Sequence, residues 1–204
     1  KAAKSYFDEA IETDPTHVRA RLNRASIHMA SGNAQDALDD ANVLLELAPG
    51  LALAKLRRAE ANMMLTNWEA AKDDLEVIIE DAPHHHHALT QLAACYISMD
   101  RPEKAEAPLN EALRLAPDHT DAWHQRGLLY LDWGREEAAL NDFEAAVRCD
   151  GSHLDARLHI AAIHHEAKRF VEASGAWKGV LAIEPDHAVA RRRKEECEMA
   201  IATM

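Results

Sequence analysis

The sequence has 204 residues and a formal net charge of −12, from 35 acidic and 23 basic side chains. This acidic balance disfavours nucleic acid and anionic membranes as partners, because both bind a basic protein surface. Apolar residues make up 48% and charged residues 28%, a mix typical of a chain that buries a core. No segment approaches the ~20 consecutive apolar residues of a membrane-spanning helix, so no membrane insertion is expected.

Short motifs give no indication of catalysis or of a cofactor. The sequence contains no glycine-rich phosphate loop, no GxSxG and no HExxH. Cys95, Cys149 and Cys197 lie far apart and form no CxxC or zinc-ligand spacing. We therefore expect no enzyme activity and no cofactor, and a reducing compartment, the cytoplasm.

A 34-residue period organises the chain. Five prolines, at positions 15, 49, 83, 117 and 185, are separated by 34 residues or by a multiple of 34. Small residues recur at the eighth and twentieth positions of each period, as close helix crossings require. The period divides the chain into a half repeat 1–17, full repeats 18–51, 52–85, 86–119, 120–153 and 154–187, and a polar tail 188–204.

This pattern resembles the tetratricopeptide repeat family along essentially the whole chain. The resemblance implies an all-α fold, a right-handed α-solenoid of antiparallel helix pairs A and B, forming a single domain over 1–204 with 188–204 as a capping helix. Repeat 120–153 fits best, with Trp123, Gly127, Tyr130, Ala139, Phe143 and Ala146 at the signature places. Turns between helices A and B are predicted at Ser31-Gly32-Asn33, Thr66-Asn67, Asp100-Arg101-Pro102, Trp133-Gly134 and Lys168-Arg169.

Helix A lines a concave groove in this family, which indicates candidate partner-binding residues. Positions 2, 5, 9 and 12 of each repeat share one helical face. Apolar residues on that face suit an amphipathic helix or a peptide with apolar anchors, although several could simply pack against neighbouring helices. The candidates, including position 6 of the first two full repeats and of repeat 154–187, are Arg19, Leu22, Asn23, Ser26, Leu53, Leu56, Arg57, Glu60, Thr90, His124 and His159.

The first two full repeats also resemble those of co-chaperones that bind a terminal carboxylate. Asn23 and Arg57 match two of the five positions of that carboxylate clamp, and an arginine fork suits a carboxylate. Leu53 stands where the subfamily has lysine, which weakens the match. The resemblance implies a protein or peptide partner with an acidic C-terminus.

Three further features are interpreted from the sequence. The run His84–His87, and His124, His159 and His165 near Asp121 and Asp155, could bind a metal, but their spacing matches no ligand motif and we predict no metal site. Pro108 removes a backbone donor in the middle of a B helix and should kink it. The carboxylates of Asp39, Asp40, Asp73 and Asp74 are expected mostly on exposed faces of B helices.

The function that these observations favour is a non-catalytic scaffold for protein–protein interaction that binds a peptide or helix in its groove. One alternative is an accessory repeat domain of a larger enzyme, such as a transferase or a hydroxylase. Another is a self-assembling scaffold, because the half repeat 1–17 would leave an apolar face uncovered.

Overall fold

The computed structural model describes residues 2–204, and every regular element in that range is helical. Twelve α-helices follow one another through short turns, and a 3₁₀ helix, Pro102–Lys104, precedes α7. The helices are α1 (Ala2–Thr13), α2 (Val18–Ala30), α3 (Ala34–Leu47), α4 (Ala52–Met64), α5 (Trp68–Asp81), α6 (His86–Ser98), α7 (Glu106–Leu115), α8 (Thr120–Asp132), α9 (Glu136–Cys149), α10 (Leu154–Glu166), α11 (Phe170–Ile183) and α12 (Ala188–Ala202).

The chain divides into two compact units, of which the first ends at Glu111 and the second spans Ala112–Met204. In the first unit, consecutive helices from α1 to α6 pack against each other, and α2 also contacts α4. In the second unit, α8 to α12 pack in the same sequential way. The single domain 1–204 and its repeat boundaries stay predictions, while each pair of helices falls inside one predicted repeat.

The predicted turns between helices A and B all contain one residue in the left-handed backbone region. Gly32 and Gly134 adopt φ of 75° and 69°, which glycine tolerates without a steric penalty. The equivalent residues of the other three repeats are not glycine. They are Thr66, Asp100 and Lys168, with φ between 57° and 61°.

The small residues predicted at the helix crossings are buried. Every alanine at the eighth and twentieth positions of the full repeats has no exposed surface. Gly127 stands at an eighth position, where an added Cβ would lie 2.7 Å from Cε1 of the buried Phe143 ring. Glycine therefore fits this crossing, because the Phe143 ring itself lies within 3.1 Å of the place that a Cβ would occupy.

The expectation that the B-helix carboxylates are mostly exposed is wrong for Asp40 and Asp74. Both are buried, whereas Asp39 and Asp73 are exposed. Asp40 accepts hydrogen bonds from Arg24, and Asp74 accepts them from Arg58, in each case sixteen residues earlier on helix A. The carboxylate is buried because the guanidinium of the same repeat supplies its counter-charge.

Histidines cap four helices that begin after a repeat boundary. The Nδ1 atom of the cap residue accepts a hydrogen bond from the backbone N–H three residues later, at 3.1–3.2 Å. This bond satisfies a backbone donor that has no partner within the helix. The capping residues are His17, His85, His153 and His187.

Pro108 interrupts the B helix of its repeat more strongly than the predicted kink. The segment begins as the 3₁₀ helix Pro102–Lys104 and becomes α-helical only from Glu106. Proline has no N–H to donate to the carbonyl of Lys104, so the first turn cannot continue as a regular α-helix.

Candidate functional site

A cleft of about 330 Å³ lies between α1 and α2 in the first unit. Tyr6 of α1 is 72% exposed at its edge. Tyr6 occupies the register position at which later repeats place the buried Asp40 and Asp74, each covered by helix A of its own repeat. The cleft is lined by Tyr6, Phe7, Ala10, His17, Arg19, Ala20 and Asn23.

Arg19 and Asn23 are the two predicted residues that line this cleft, and both are exposed. No other residue within 2–204 makes an ion pair or a side-chain hydrogen bond with either of them. Leu22 and Ser26 are half-buried on the same helix, and the Ser26 hydroxyl donates a hydrogen bond to the Leu22 carbonyl. The cleft therefore combines aromatic surface with an accessible guanidinium and an accessible amide.

Tyr6 and His17 were not among the residues that the sequence predicted for this site. Their signal is present in the 34-residue register, because Tyr6 replaces an aspartate there and His17 recurs as a cap residue. A comparison of equivalent positions among the repeats would have identified Tyr6 as the residue that differs from the aspartates.

Arg57 and Glu60 form an ion pair on α4. Nη1 of Arg57 donates to Oε2 of Glu60 at 2.6 Å. From α6, Nε2 of Gln91 donates to Oε1 of Glu60 at 3.4 Å, and Nε2 of His87 lies 3.6 Å from the same oxygen. Burial by itself would raise the pKa of the Glu60 carboxyl, but the hydrogen bonds from His87, Arg57 and Gln91 and the charge of Arg57 together hold that pKa below its usual value.

The other predicted residues of the first unit differ in accessibility. Leu53 is exposed. Leu56 is buried in a hydrophobic cluster with residues of α5 and α6. Thr90 is only 3% exposed, and its hydroxyl donates to the His86 carbonyl. The side chains of Leu56 and Thr90 therefore belong to the core of the unit.

His124 and His159 lie in the second unit, where their rings pack around Phe143. The His159 ring stacks on Phe143 with centroids 4.8 Å apart, and His124 lies 4.7 Å from His153. Burial, together with smaller effects of the neighbouring His153 and His159, lowers the pKa of His124 to about 4. Burial also lowers the pKa of His159. Both imidazoles are thus held neutral among aromatic neighbours.

A cysteine and a histidine meet in the second unit, although no motif in the sequence indicates it. Sγ of Cys197 lies 3.2 Å from Nδ1 of His165, and Nη1 of Arg193 lies 3.2 Å from Nε2 of the same ring. Arginine can only donate, so Nε2 is the acceptor and Nδ1 carries the proton toward the sulfur. Cys197 is fully buried, and burial raises the pKa of its thiol. A protonated Nδ1 and a buried thiol do not suit a nucleophile.

The histidine run does not act as one group. His85 caps α6, His87 faces Glu60, and His84 and His86 are exposed. Within residues 2–204, no three histidine, cysteine, aspartate or glutamate side chains converge in a way that would hold a metal ion. None of the helices in the same range is both long enough and apolar enough to span a bilayer.

Comparison with known proteins establishes the family. Three models described as tetratricopeptide repeat match residues 1–52, 53–85 and 92–158. The chain belongs to the tetratricopeptide repeat family. No curated protein matches the chain by sequence.

Solved structures confirm the predicted fold class, an all-α solenoid of helix pairs. YrrB, described as a TPR protein with an unusual peptide-binding site, is 23% identical with a TM-score of 0.65, over 93% of this chain and 97% of that one. TTC0263, a TPR protein from Thermus thermophilus, is 20% identical with a TM-score of 0.70, over 89% and 99%. The Cut9–Hcn1 hetero-tetramer of APC/C matches at 18% identity with a TM-score of 0.81, over 95% of this chain and 39% of that one.

Proposed function

We propose that this chain is a non-catalytic protein-interaction module that holds a partner peptide or helix at the cleft between α1 and α2. The observation that carries the proposal is the exposed Tyr6 ring beside the Arg19 guanidinium, which has no partner within residues 2–204. An aromatic surface next to a free cation suits a partner with an apolar anchor and an adjacent acidic group. Asn23 adds an amide that can donate to the same acidic group.

The relatives support an interaction role in general terms. YrrB is described as having a peptide-binding site, and Cut9–Hcn1 is a hetero-tetramer. The net charge of −12 favours a protein partner over nucleic acid. All three cysteines are free, in keeping with a role in the cytoplasm.

The proposal assigns an acidic C-terminus of the partner to Arg19 and Asn23 rather than to Arg57. Arg57 already has a carboxylate partner in Glu60, at 2.6 Å. Arg57→Ala should accordingly weaken partner binding less than Arg19→Ala does. An accessory role beside a catalytic domain, and self-assembly, stay alternative predictions.

The test is capture of partners by the immobilised chain, followed by titration of the captured partner against variants. Arg19→Ala and Tyr6→Ala should each weaken binding about tenfold or more, as expected for a charged or aromatic anchor. Lys178→Ala is the matched control, because it removes one positive charge from an exposed position of α11 in the other unit. Equal affinity of all four proteins would place the binding site elsewhere.

A further inference from the structure

Helix α4 of the same unit carries an arginine, Arg57, whose charge is already neutralised by Glu60. Glu60 takes a hydrogen bond from Arg57 on its own helix and another from Gln91 on α6. The Glu60 side chain is 17% exposed and the Arg57 side chain 27%, so solvent reaches the pair but does not separate it. His87 approaches the second carboxylate oxygen from α6.

These contacts fix the position of the Glu60 carboxylate. A single ion pair between two flexible side chains on one helix turn would exchange freely with solvent. Here donors from two helices hold both carboxylate oxygens, and the site is partly desolvated. Glu60 therefore cannot swing away from Arg57 without breaking its hydrogen bond to Gln91 of α6.

We propose that Glu60 is a specificity-determining residue that keeps acidic partner groups away from Arg57, so that this part of α4 and α6 accepts neutral segments. The inference rests on the proposed function and refines it, because it leaves Arg19 as the cation that receives an acidic group. A partner carboxylate near Arg57 would have to displace Glu60 or lie beside its negative charge. Juxtaposed like charges are a common means of rejecting a wrong partner.

Glu60→Gln is a suitable variant for the test. Glutamine has nearly the same shape, and its side-chain oxygen can still accept the hydrogen bond from Arg57. The substitution removes the negative charge and replaces the acceptor oxygen that faces Gln91 with an amide nitrogen, which leaves the guanidinium of Arg57 available to a partner carboxylate. Glu46→Gln is the matched control, because Glu46 is exposed on the B helix α3.

The experiment selects peptides from a random hexapeptide library that is anchored at the N-terminus, so that every C-terminal carboxylate is free. The folded full chain is used as wild type, Glu60→Gln, Glu46→Gln and the double variant Arg57→Gln/Glu60→Gln, with thermal unfolding as the check on folding. We expect Glu60→Gln to enrich acidic peptides about fivefold over wild type, in line with the removal of a like charge. The Glu46→Gln control should select the same peptides as wild type. The double variant should lose the enrichment of acidic peptides, because it lacks the Arg57 guanidinium.

Two results would overturn the inference, and they have different meanings. If wild type and Glu60→Gln select peptides of equal acidic content, Glu60 does not determine specificity, although peptide binding itself stands. If no variant enriches any peptide, the proposed binding of a partner peptide fails, and this inference fails with it.

Discussion

Arg126 on α8 and Asp142 on α9 form a two-point ion pair inside the second unit. Nε and Nη2 of the guanidinium donate to the two carboxylate oxygens at 2.7 and 2.8 Å, and Asp142 is buried. The guanidinium also stacks over the Trp123 ring, 4.9 Å from its centroid. In repeat 154–187 the equivalent positions hold Ile160 and Ala176. The two positions thus change together, from a charged pair to an apolar pair.

Removing both partners of this pair should destabilise the protein by less than the sum of the two single removals. Asp142→Ala removes the two-point carboxylate partner of the partly buried Arg126 guanidinium, and we expect a loss of about 2–4 kcal/mol in the free energy of unfolding. The double variant Arg126→Ile/Asp142→Ala reproduces the apolar pair and should cost less than the sum of the single variants. Urea unfolding measures all of them, and strictly additive losses would contradict the coupling.

Gly127 and Phe143 should also be coupled. A Cβ at Gly127 would lie 2.7 and 2.9 Å from two atoms of the Phe143 ring, so Gly127→Ala should cost about 1–3 kcal/mol through overpacking. In repeat 52–85, Ala59 and Leu75 occupy the positions equivalent to Gly127 and Phe143. Gly127→Ala/Phe143→Leu should therefore be more stable than Gly127→Ala alone in urea unfolding. If Phe143→Leu fails to recover stability in the Gly127→Ala background, the steric explanation is wrong.

The left-handed turn residues offer a stabilising substitution. Thr66 is β-branched and adopts φ of 61°, which costs roughly 1–2 kcal/mol relative to glycine. A glycine at this position would remove that cost, but its greater conformational freedom in the unfolded chain would offset part of the gain in stability. We expect Thr66→Gly to raise the free energy of unfolding by about 0.5–1 kcal/mol, measured by thermal or urea unfolding.

Gly134→Ala is the reciprocal control for that substitution. Gly134 has φ of 69°, and no atom lies within 4 Å of an added Cβ, so the loss should come from the backbone conformation alone. We expect it to destabilise the protein by about 1 kcal/mol. If φ decides the effect, Thr66→Gly raises the free energy of unfolding and Gly134→Ala lowers it. A stabilising Gly134→Ala would therefore contradict the role of the backbone conformation.

Acid should destabilise the second unit through His124. Burial, with smaller contributions from His153 and His159, lowers the pKa of His124 to about 4, whereas an imidazole in the unfolded chain titrates near ~6.5. Between these values the unfolded chain binds a proton that the folded chain does not. The stability that comes from keeping His124 neutral is therefore fully present above pH ~6.5, and it is lost as the pH falls toward 4.

The measurement is unfolding by urea at several pH values between 4 and 7. His124→Phe keeps a ring beside Phe143 but cannot bind a proton, so it should flatten the decline in stability with falling pH. His84→Phe changes an exposed histidine of the first unit and should leave the decline as in wild type. A decline of unchanged steepness in His124→Phe would show that other groups govern the pH dependence.

Much of the fold follows from the sequence because the repeat is local. A 34-residue period in prolines and small residues fixes where helices begin, turn and pack, and each helix contacts mainly its neighbours along the chain. The turn at Gly32 and the glycine at position 127 could be assigned without coordinates. The ion pairs could also have been found, since Arg24 precedes Asp40 by the same sixteen residues that separate Arg126 from Asp142.

The sequence by itself therefore determined the family, the helix pairs and the positions where small residues are needed, because these depend on periodicity along one chain. Only the tertiary structure decided which charges are free. Arg19 and Arg57 are both predicted groove cations in the sequence, yet Glu60, held in place by two residues of α6, neutralises Arg57, whereas no partner within residues 2–204 reaches Arg19. The availability of a charge depends on side chains from neighbouring helices, and a periodic pattern does not specify their distances.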